Sequence, residues 1–369
     1  MSILVLNAGS STLKAAVYDD AAQTRLAAAT MDRVPDVHAF EEALRRLEGD
    51  AAGSIDAARA VGHRVVHGGT ELRESTIVTH HVRHAIERVA ELAPLHNRPA
   101  LAALELATER FPHIPHVAVF DTAFFATLPE SDVVYPVPWE WRSAWGVRRF
   151  GFHGLSHSYA SERAAAMLGE AESRVVVLHL GNGCSGSAVM AGKPVATTMG
   201  FTPMEGLMMG TRSGSIDPGI LLHLLRNDVS VDAIDGQLNH DSGLLGVSGV
   251  SSDYREVLDA ARSGHPRARL ALDLFANRTR AAVATLATAM GGLDALVFTA
   301  GIGENAPAMR AAVTHGLDFM GIAIDEAANE GDGEDITARG ARVKTFVIPA
   351  REDLVVARET RSAVLVASA

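Results

Sequence analysis

Short apolar runs, each closed by small or glycine-rich positions, punctuate the chain. Residues 3–6 (Ile-Leu-Val-Leu) lead into Asn7-Ala8-Gly9-Ser10-Ser11, the pattern of a buried strand entering a turn. Residues 13–18 read as its hairpin partner. Residues 61–66, 117–120, 175–180, 187–190, 296–299 and 343–348 read as further buried strands. Between them the spacing turns helical. Val82, Ile86, Val89 and Leu92 fall on one helical face, and Pro99 suits the first turn of a following helix bearing Leu101, Leu104 and Ala107. Residues 156–168 and 266–290 predict two more helices, and a short one is expected from Glu352. Residues 135–150, with Trp139, Trp141 and Trp145, read as irregular, and Ala191-Gly192-Lys193-Pro194 as a turn.

One internal similarity bears on architecture. Shifted by about 172 positions, Ile3-Leu4-Val5-Leu6 lies on Val175-Val176-Val177-Leu178, and Gly9 on Gly181. Shifted slightly further, Val119-Phe120 lies on Val297-Phe298. Buried strands resemble one another, and that alone would give such matches. The sharper reading is two halves on one plan with a cleft between them. A length of 369 residues also favours two domains.

Composition narrows the partners. Hydrophobic residues at 47 % and charged residues at 21 % are ordinary for a soluble globular protein. The net charge of −11 argues against a long nucleic-acid footprint. Cys184 is the single cysteine, so no internal disulfide forms, which fits a reducing, cytoplasmic setting. No run of about 20 apolar residues suits a membrane span, and the opening residues lack a signal-peptide pattern.

Three glycine-rich turns follow strands. Asn7-Ala8-Gly9-Ser10-Ser11-Thr12-Leu13-Lys14 combines amides, hydroxyls and a cation, as an anion-binding loop does. An ordinary polar hairpin would look the same, and no G-x-x-x-x-G-K-[ST] motif occurs. Residues 179–186 and 301–305 are the second and third turns, where glycine permits close backbone approach to phosphate. Arg64 and Arg212 sit among glycines and apolar residues, as anion clamps or as internal ion pairs. Asp121 follows a strand, where it either faces a cleft and holds Mg²⁺ or caps a turn. His153 and His157 have the spacing of a zinc pair. They lack an intervening Glu and a Cys pair, so hydrogen bonding or core packing is the better reading.

Nine segments in order resemble the acetate kinase family of the sugar kinase/actin superfamily: LNAGSSTLK, GHRVVHGG, LAPLHN, VFDTAF, RRFGFHGLSH, HLGNGCS, MGFTPMEGLMMGTRSGSIDPG, SGLLGVSGVSSDYREV and FTAGIGEN. The resemblance implies an α/β fold of two duplicated ribonuclease H-like domains flanking a nucleotide cleft. Residues 1–125 with 355–369 would form the acyl-side domain and residues 126–354 the nucleotide-binding domain. It implies reversible phosphoryl transfer from Mg·ATP to acetate, giving acetyl phosphate and ADP. It also implies Mg²⁺ (Mn²⁺ in its place) and a homodimer. Asp121, Arg64, Arg212, His153 and His179 would be catalytic. Ser10, Thr12 and Lys14 would line the phosphate loop, and Asn7 and Glu352 would face the metal. Arg64, Val66, Leu95, Phe152 and Pro203 would bind acetate. Lys14, His179, Asn182, Gly183, Asp253, Tyr254, Arg255, Gly301, Ile302 and Asn305 would bind the nucleotide. A propionate or butyrate kinase and a non-catalytic nucleotide-binding member are the alternatives. The chain departs from the family pattern at Arg98, Phe125, Leu155, Ala196 and Arg351, the last standing where Asn usually precedes Glu352.

Overall fold

A computed structural model describes residues 2–9, 12–32, 36–50, 55 and 57–368. They form two compact units. The first comprises Met1–Ala126, Phe152–Leu155 and Arg351–Ala369; the second comprises Thr127–Gly151 and Ser156–Ala350. The chain therefore revisits the first unit at Phe152–Leu155, a crossing the sequence did not signal. It returns for good at Arg351, ahead of the expected 355.

The first unit holds β1 (Ser2–Ala8), β2 (Leu13–Asp19), β3 (Arg25–Met31), β4 (Ala58–Val65), β5 (Thr76–Ile77) and β6 (His116–Phe120). Their order is β3-β2-β1-β4-β6-β5. β1, β2 and β3 run antiparallel in succession, and β4 and then β6 extend β1 in parallel. The second unit holds β7 (Arg174–Leu180), β8 (Cys184–Met190), β9 (Lys193–Thr197), β10 (Ala295–Thr299) and β11 (Lys344–Val347), in the order β11-β10-β7-β8-β9. Here β7, β8 and β9 are antiparallel in succession, and β10 and β11 extend β7 in parallel.

The two sheets thus share one plan, and β1 occupies the place of β7. The second part of the sequence match is corrected. Val119-Phe120 lies in β6 and Val297-Phe298 in β10, but β10 takes the position of β4, and β11 that of β6. Parallel strands covered on both faces are apolar throughout, so their composition does not record which slot they fill.

The first core packs Leu4, Leu6 and Val17 of the sheet against Phe40, Leu44 and Leu47 of the helix Val37–Asp50. On β4, Gly62 lies under the helix Glu352–Ser368: an added Cβ would stand 2.2 Å from Thr360 Oγ1. That helix has 17 residues and is not the short one expected. In the second core, Ala160 and Ala164 of the helix Gly154–Leu168 meet Val175, Val177, Val297 and Phe346.

Two local readings also change. The helix Pro94–Arg110 starts at Pro94, which leaves Pro99 in its interior instead of in its first turn. The turn after β8 is Ala191-Gly192, with φ of 51° and 74°, the signature of a two-residue hairpin; Lys193 and Pro194 already belong to β9. β9 is an edge strand, where a proline does not interrupt a central ladder. Among the described residues no helix is long and apolar enough to cross a membrane.

Candidate active site

In the first unit, side chains from three parallel or adjoining strands converge. Arg64 lies in β4 beside β1, which carries Asn7, and beside β6, which is followed by Asp121. Asp121 N donates to Val65 O at 3.0 Å, which holds the carboxylate at the end of the ladder. The Arg64 guanidinium grips Asp121 with two bonds, Nη2 to Oδ2 at 2.7 Å and Nε to Oδ1 at 3.0 Å. Its Nη1 donates to Asn7 Oδ1 at 3.2 Å and lies 3.5 Å from Glu352 Oε2. Asn7 Nδ2 donates to the same Glu352 oxygen at 3.4 Å.

The electrostatics follow from this geometry. Burial pushes the Asp121 carboxyl up from its ordinary range, against the pull of Arg64 and of the backbone N–H of His153. Burial also works against the Arg64 charge, but Asp121 and Glu352 outweigh it and hold the guanidinium above its ordinary value. Both Asp121 oxygens accept from Arg64.

His153 takes a left-handed backbone, φ 57°, and the next residue has no room for a side chain. A Cβ on Gly154 would stand 2.0 Å from Asp121 O. The glycine thus lets the His153 segment sit directly on the Asp121 turn. Phe152 is buried, its ring edge-on to His67 at 5.3 Å, and Val66 is buried close by in sequence. Asn97 pins this stretch, accepting from His67 N at 3.0 Å and donating to His67 O at 3.0 Å. The Leu95 side chain and Ser10 lie outside the described residues. Thr12 O accepts from Gly9 N at 2.8 Å, and Lys14 is exposed on β2 opposite Asn7.

The second unit carries a groove of about 890 Å³. Asn182, Asp253, Tyr254, Arg255, Gly301, Ile302 and Asn305 line it, so seven of the expected nucleotide residues come together; Gly183 and His179 are not in the lining. Asp253 caps the helix Tyr254–Arg262, accepting from Arg255 N at 2.8 Å, and pairs with the Arg255 guanidinium at 2.6 Å. The sequence reading missed Leu258 and Arg262, which also face the groove. Their places four and eight residues after Tyr254, on one helical face, were the available signal. Gly210 gives Asn182 its place: a Cβ there would stand 2.1 Å from Asn182 Oδ1.

Arg212 is mostly surrounded by protein, and its guanidinium donates to Pro203 O at 2.7 Å. Burial lowers its pKa from the ordinary value, and no carboxylate forms an ion pair with it among the described residues. The Pro203 loop is fixed from below by Arg149, which donates to Met199 O at 3.0 Å and Glu205 Oε1 at 3.1 Å.

Two further expectations concern histidine and metal. His179 Nδ1 lies 2.8 Å from Ser156 Oγ, while the two His157 ring nitrogens lie 2.7 Å from Ser185 Oγ and Ser187 Oγ. Burial, with His179 beside it, holds His157 well below its ordinary value and therefore neutral. Both of its ring nitrogens are thus engaged by serine hydroxyls of β8. Among the described residues no group of three or more His, Cys, Asp or Glu is arranged to hold a metal. Asn7 and Glu352 do fit a Mg²⁺ that keeps most of its ligands as water and substrate phosphate, which needs only one or two protein carboxylates.

Two α/β units on one sheet plan, one with a carboxylate–guanidinium constellation at strand ends and one with a helix-capped groove, form the layout of a two-unit phosphotransferase. The profile of the Acetokinase family matches residues 36–358. The chain belongs to that family. It is 45 % identical to an acetate kinase of Gloeobacter violaceus over 97 % of this chain and 98 % of the relative. Its structure is similar to the crystal structure of Porphyromonas gingivalis acetate kinase, with a TM-score of 0.90 and 38 % identity over 98 % and 99 % of the two chains. It is equally similar to a propionate kinase from Francisella tularensis, with a TM-score of 0.90 and 37 % identity over the same shares.

Proposed function

We propose that this chain transfers the γ-phosphoryl group of Mg·ATP to acetate, reversibly, giving acetyl phosphate and ADP. The observation that carries this reading is Arg212, a largely buried cation whose guanidinium forms no ion pair with a carboxylate among the described residues, in the unit that bears the nucleotide groove. A buried unpaired charge is costly, and an anionic substrate removes the cost.

Acetate is ionised at neutral pH and needs no base to attack phosphorus. The barrier is the approach of two anions. Arg64, Arg212 and His153 lower it by neutralising and aligning charge for an in-line displacement. Asp121 orients Arg64, and Val66 and Phe152 provide the apolar wall for the acetate methyl. The groove residues hold the nucleotide, and Lys14 and Thr12 are the first unit's candidates for contact with phosphate. Mg²⁺, when bound, neutralises phosphate charge, and Glu352 and Asn7 are the residues that would face it.

A cytosolic setting and a homodimer belong to the same proposal. Support for pairing comes from the helix Pro218–Arg226, which buries none of its residues and exposes Ile220, Leu222 and Leu225. Light scattering on the purified protein tests it; a monomer at micromolar concentration refutes it.

Propionate is the second reading, favoured by the Francisella relative. Hydroxylamine trapping with Mg·ATP and acetate, propionate or butyrate separates the two. Fastest hydroxamate formation from acetate at low concentration supports the proposal. A preference for propionate moves the reading to the longer acyl chain, and no acyl phosphate from any acid refutes phosphoryl transfer.

A further inference from the structure

Glu352 opens the helix Glu352–Ser368, and the residues on either side of it are tied to the β2–β3 hairpin. Tyr18, in β2, is fully buried, and its hydroxyl donates to Asp353 Oδ2 at 2.7 Å. Arg25, the first residue of β3, brings Nη1 to 3.0 Å from the same oxygen. Arg351 places Nε 3.7 Å from Asp353 Oδ1, and its Nη2 donates to the Tyr18 hydroxyl at 3.4 Å. Burial, reinforced by the bond to Asp353, raises the Tyr18 phenol to about 12, so it remains a donor at neutral pH.

Glu352 itself reaches Asn7 and Arg64 at 3.4 and 3.5 Å. Its carboxylate is also carried by the first turn of that helix. That turn is held through Asp353, by a buried phenol and two guanidinium groups.

We propose that Tyr18, Arg25 and Arg351 clamp Asp353 and thereby position Glu352 for the divalent cation that accompanies the nucleotide. The proposal rests on reading Glu352 as the cation-facing carboxylate. It gives Arg351 a role where the family pattern has Asn: its guanidinium closes the ring of contacts between Tyr18 and Asp353. None of the three clamp residues touches substrate; they are positioning residues.

Mn²⁺, read by electron paramagnetic resonance, is titrated into the full-length protein with ADP present. Tyr18→Phe and Asp353→Asn are each expected to weaken Mn²⁺ binding about tenfold and to raise the half-saturating Mg²⁺ in turnover by a similar factor. The KM for acetate stays within about twofold, because the acyl side is untouched. Unchanged Mn²⁺ affinity in both variants, even with a lowered Tm, means the cluster merely ties down a helix and overturns the proposal. Tyr18→Phe removes one hydroxyl from a filled site and carries the test if Asp353→Asn does not fold. Glu352→Gln separates the two failures: unchanged Mn²⁺ affinity there overturns the reading of Glu352 itself.

Discussion

Arg64 and Arg212 look alike in the sequence, each between glycines, yet their surroundings differ. Arg64 is committed to Asp121 through two bonds, while Arg212 spends a hydrogen bond on the Pro203 carbonyl and forms no ion pair with a carboxylate among the described residues. On the proposed mechanism, removing Arg212 deletes charge that the transferred group would meet. Arg212→Ala is expected to lose at least about 10²-fold in kcat. Steady-state kinetics at saturating Mg·ATP and acetate check this, and near-normal turnover would exclude the role. Arg212→Lys keeps the charge without the planar fork and should recover only part of the loss.

At the scale of elements, β4 is the strand on which most depends, since it carries Gly62, His63 and Arg64 in succession. A Cβ at Gly62 would meet Thr360 Oγ1 at 2.2 Å and Val356 Cγ1 at 2.9 Å. Gly62→Ala should destabilise the fold by about 1–3 kcal/mol, as overpacking does. Thr360→Ala in the same chain should return part of that, because the nearest obstructing atom is gone. Urea unfolding of the single and double variants gives the comparison, and strict additivity would rule out the contact as the cause.

His63 ties the same strand to β6. His116 Nε2 lies 3.1 Å from Phe111 O and must donate to it, so His116 Nδ1 accepts and His63 Nε2 donates across 2.9 Å. Burial, then His116, pull the His63 imidazole down to about 3. An unfolded histidine binds a proton near pH 6.5, so between those values the unfolded chain holds the extra proton. This contribution is complete above about pH 6.5 and declines by about 1.4 kcal/mol per pH unit as pH falls toward 3. Unfolding free energies at pH 6 and 5 should show a shallower decline in His63→Phe, and equal slopes would exclude His63 as a source.

Over the whole molecule, the functional assignment divides between the units. Tyr254 faces the groove of the second unit, and Val66 belongs to the first. Tyr254→Ala should raise the KM for ATP about tenfold with little change in that for acetate, since a lost aromatic contact is worth about 1–3 kcal/mol. Val66→Ala should do the reverse and shift preference toward propionate, since about 1–3 kcal/mol attends one methylene in an apolar pocket. Parallel KM measurements for ATP, acetate and propionate test the division; a single pattern in both variants would refute it.

The sequence by itself determined the buried strands β1, β4, β6, β7 and β10, because apolar runs that neither helix nor loop can bury are strands. It also identified the motif residues Asn7, Arg64, Asp121, Arg212 and the seven that line the groove, through a resemblance running along nearly the whole chain. It left β3 unread, since Arg25–Met31 centres on a run of three alanines and carries no clear period. Only the tertiary structure decided that β10 occupies the slot of β4 and that Arg64 grips Asp121 while Arg212 grips no acid among the described residues. It also decided that Tyr18 and Asp353 meet across 335 residues of sequence. Slot, partner and long-range contact depend on where the chain crosses over, and a run of side chains carries its burial but not its neighbours.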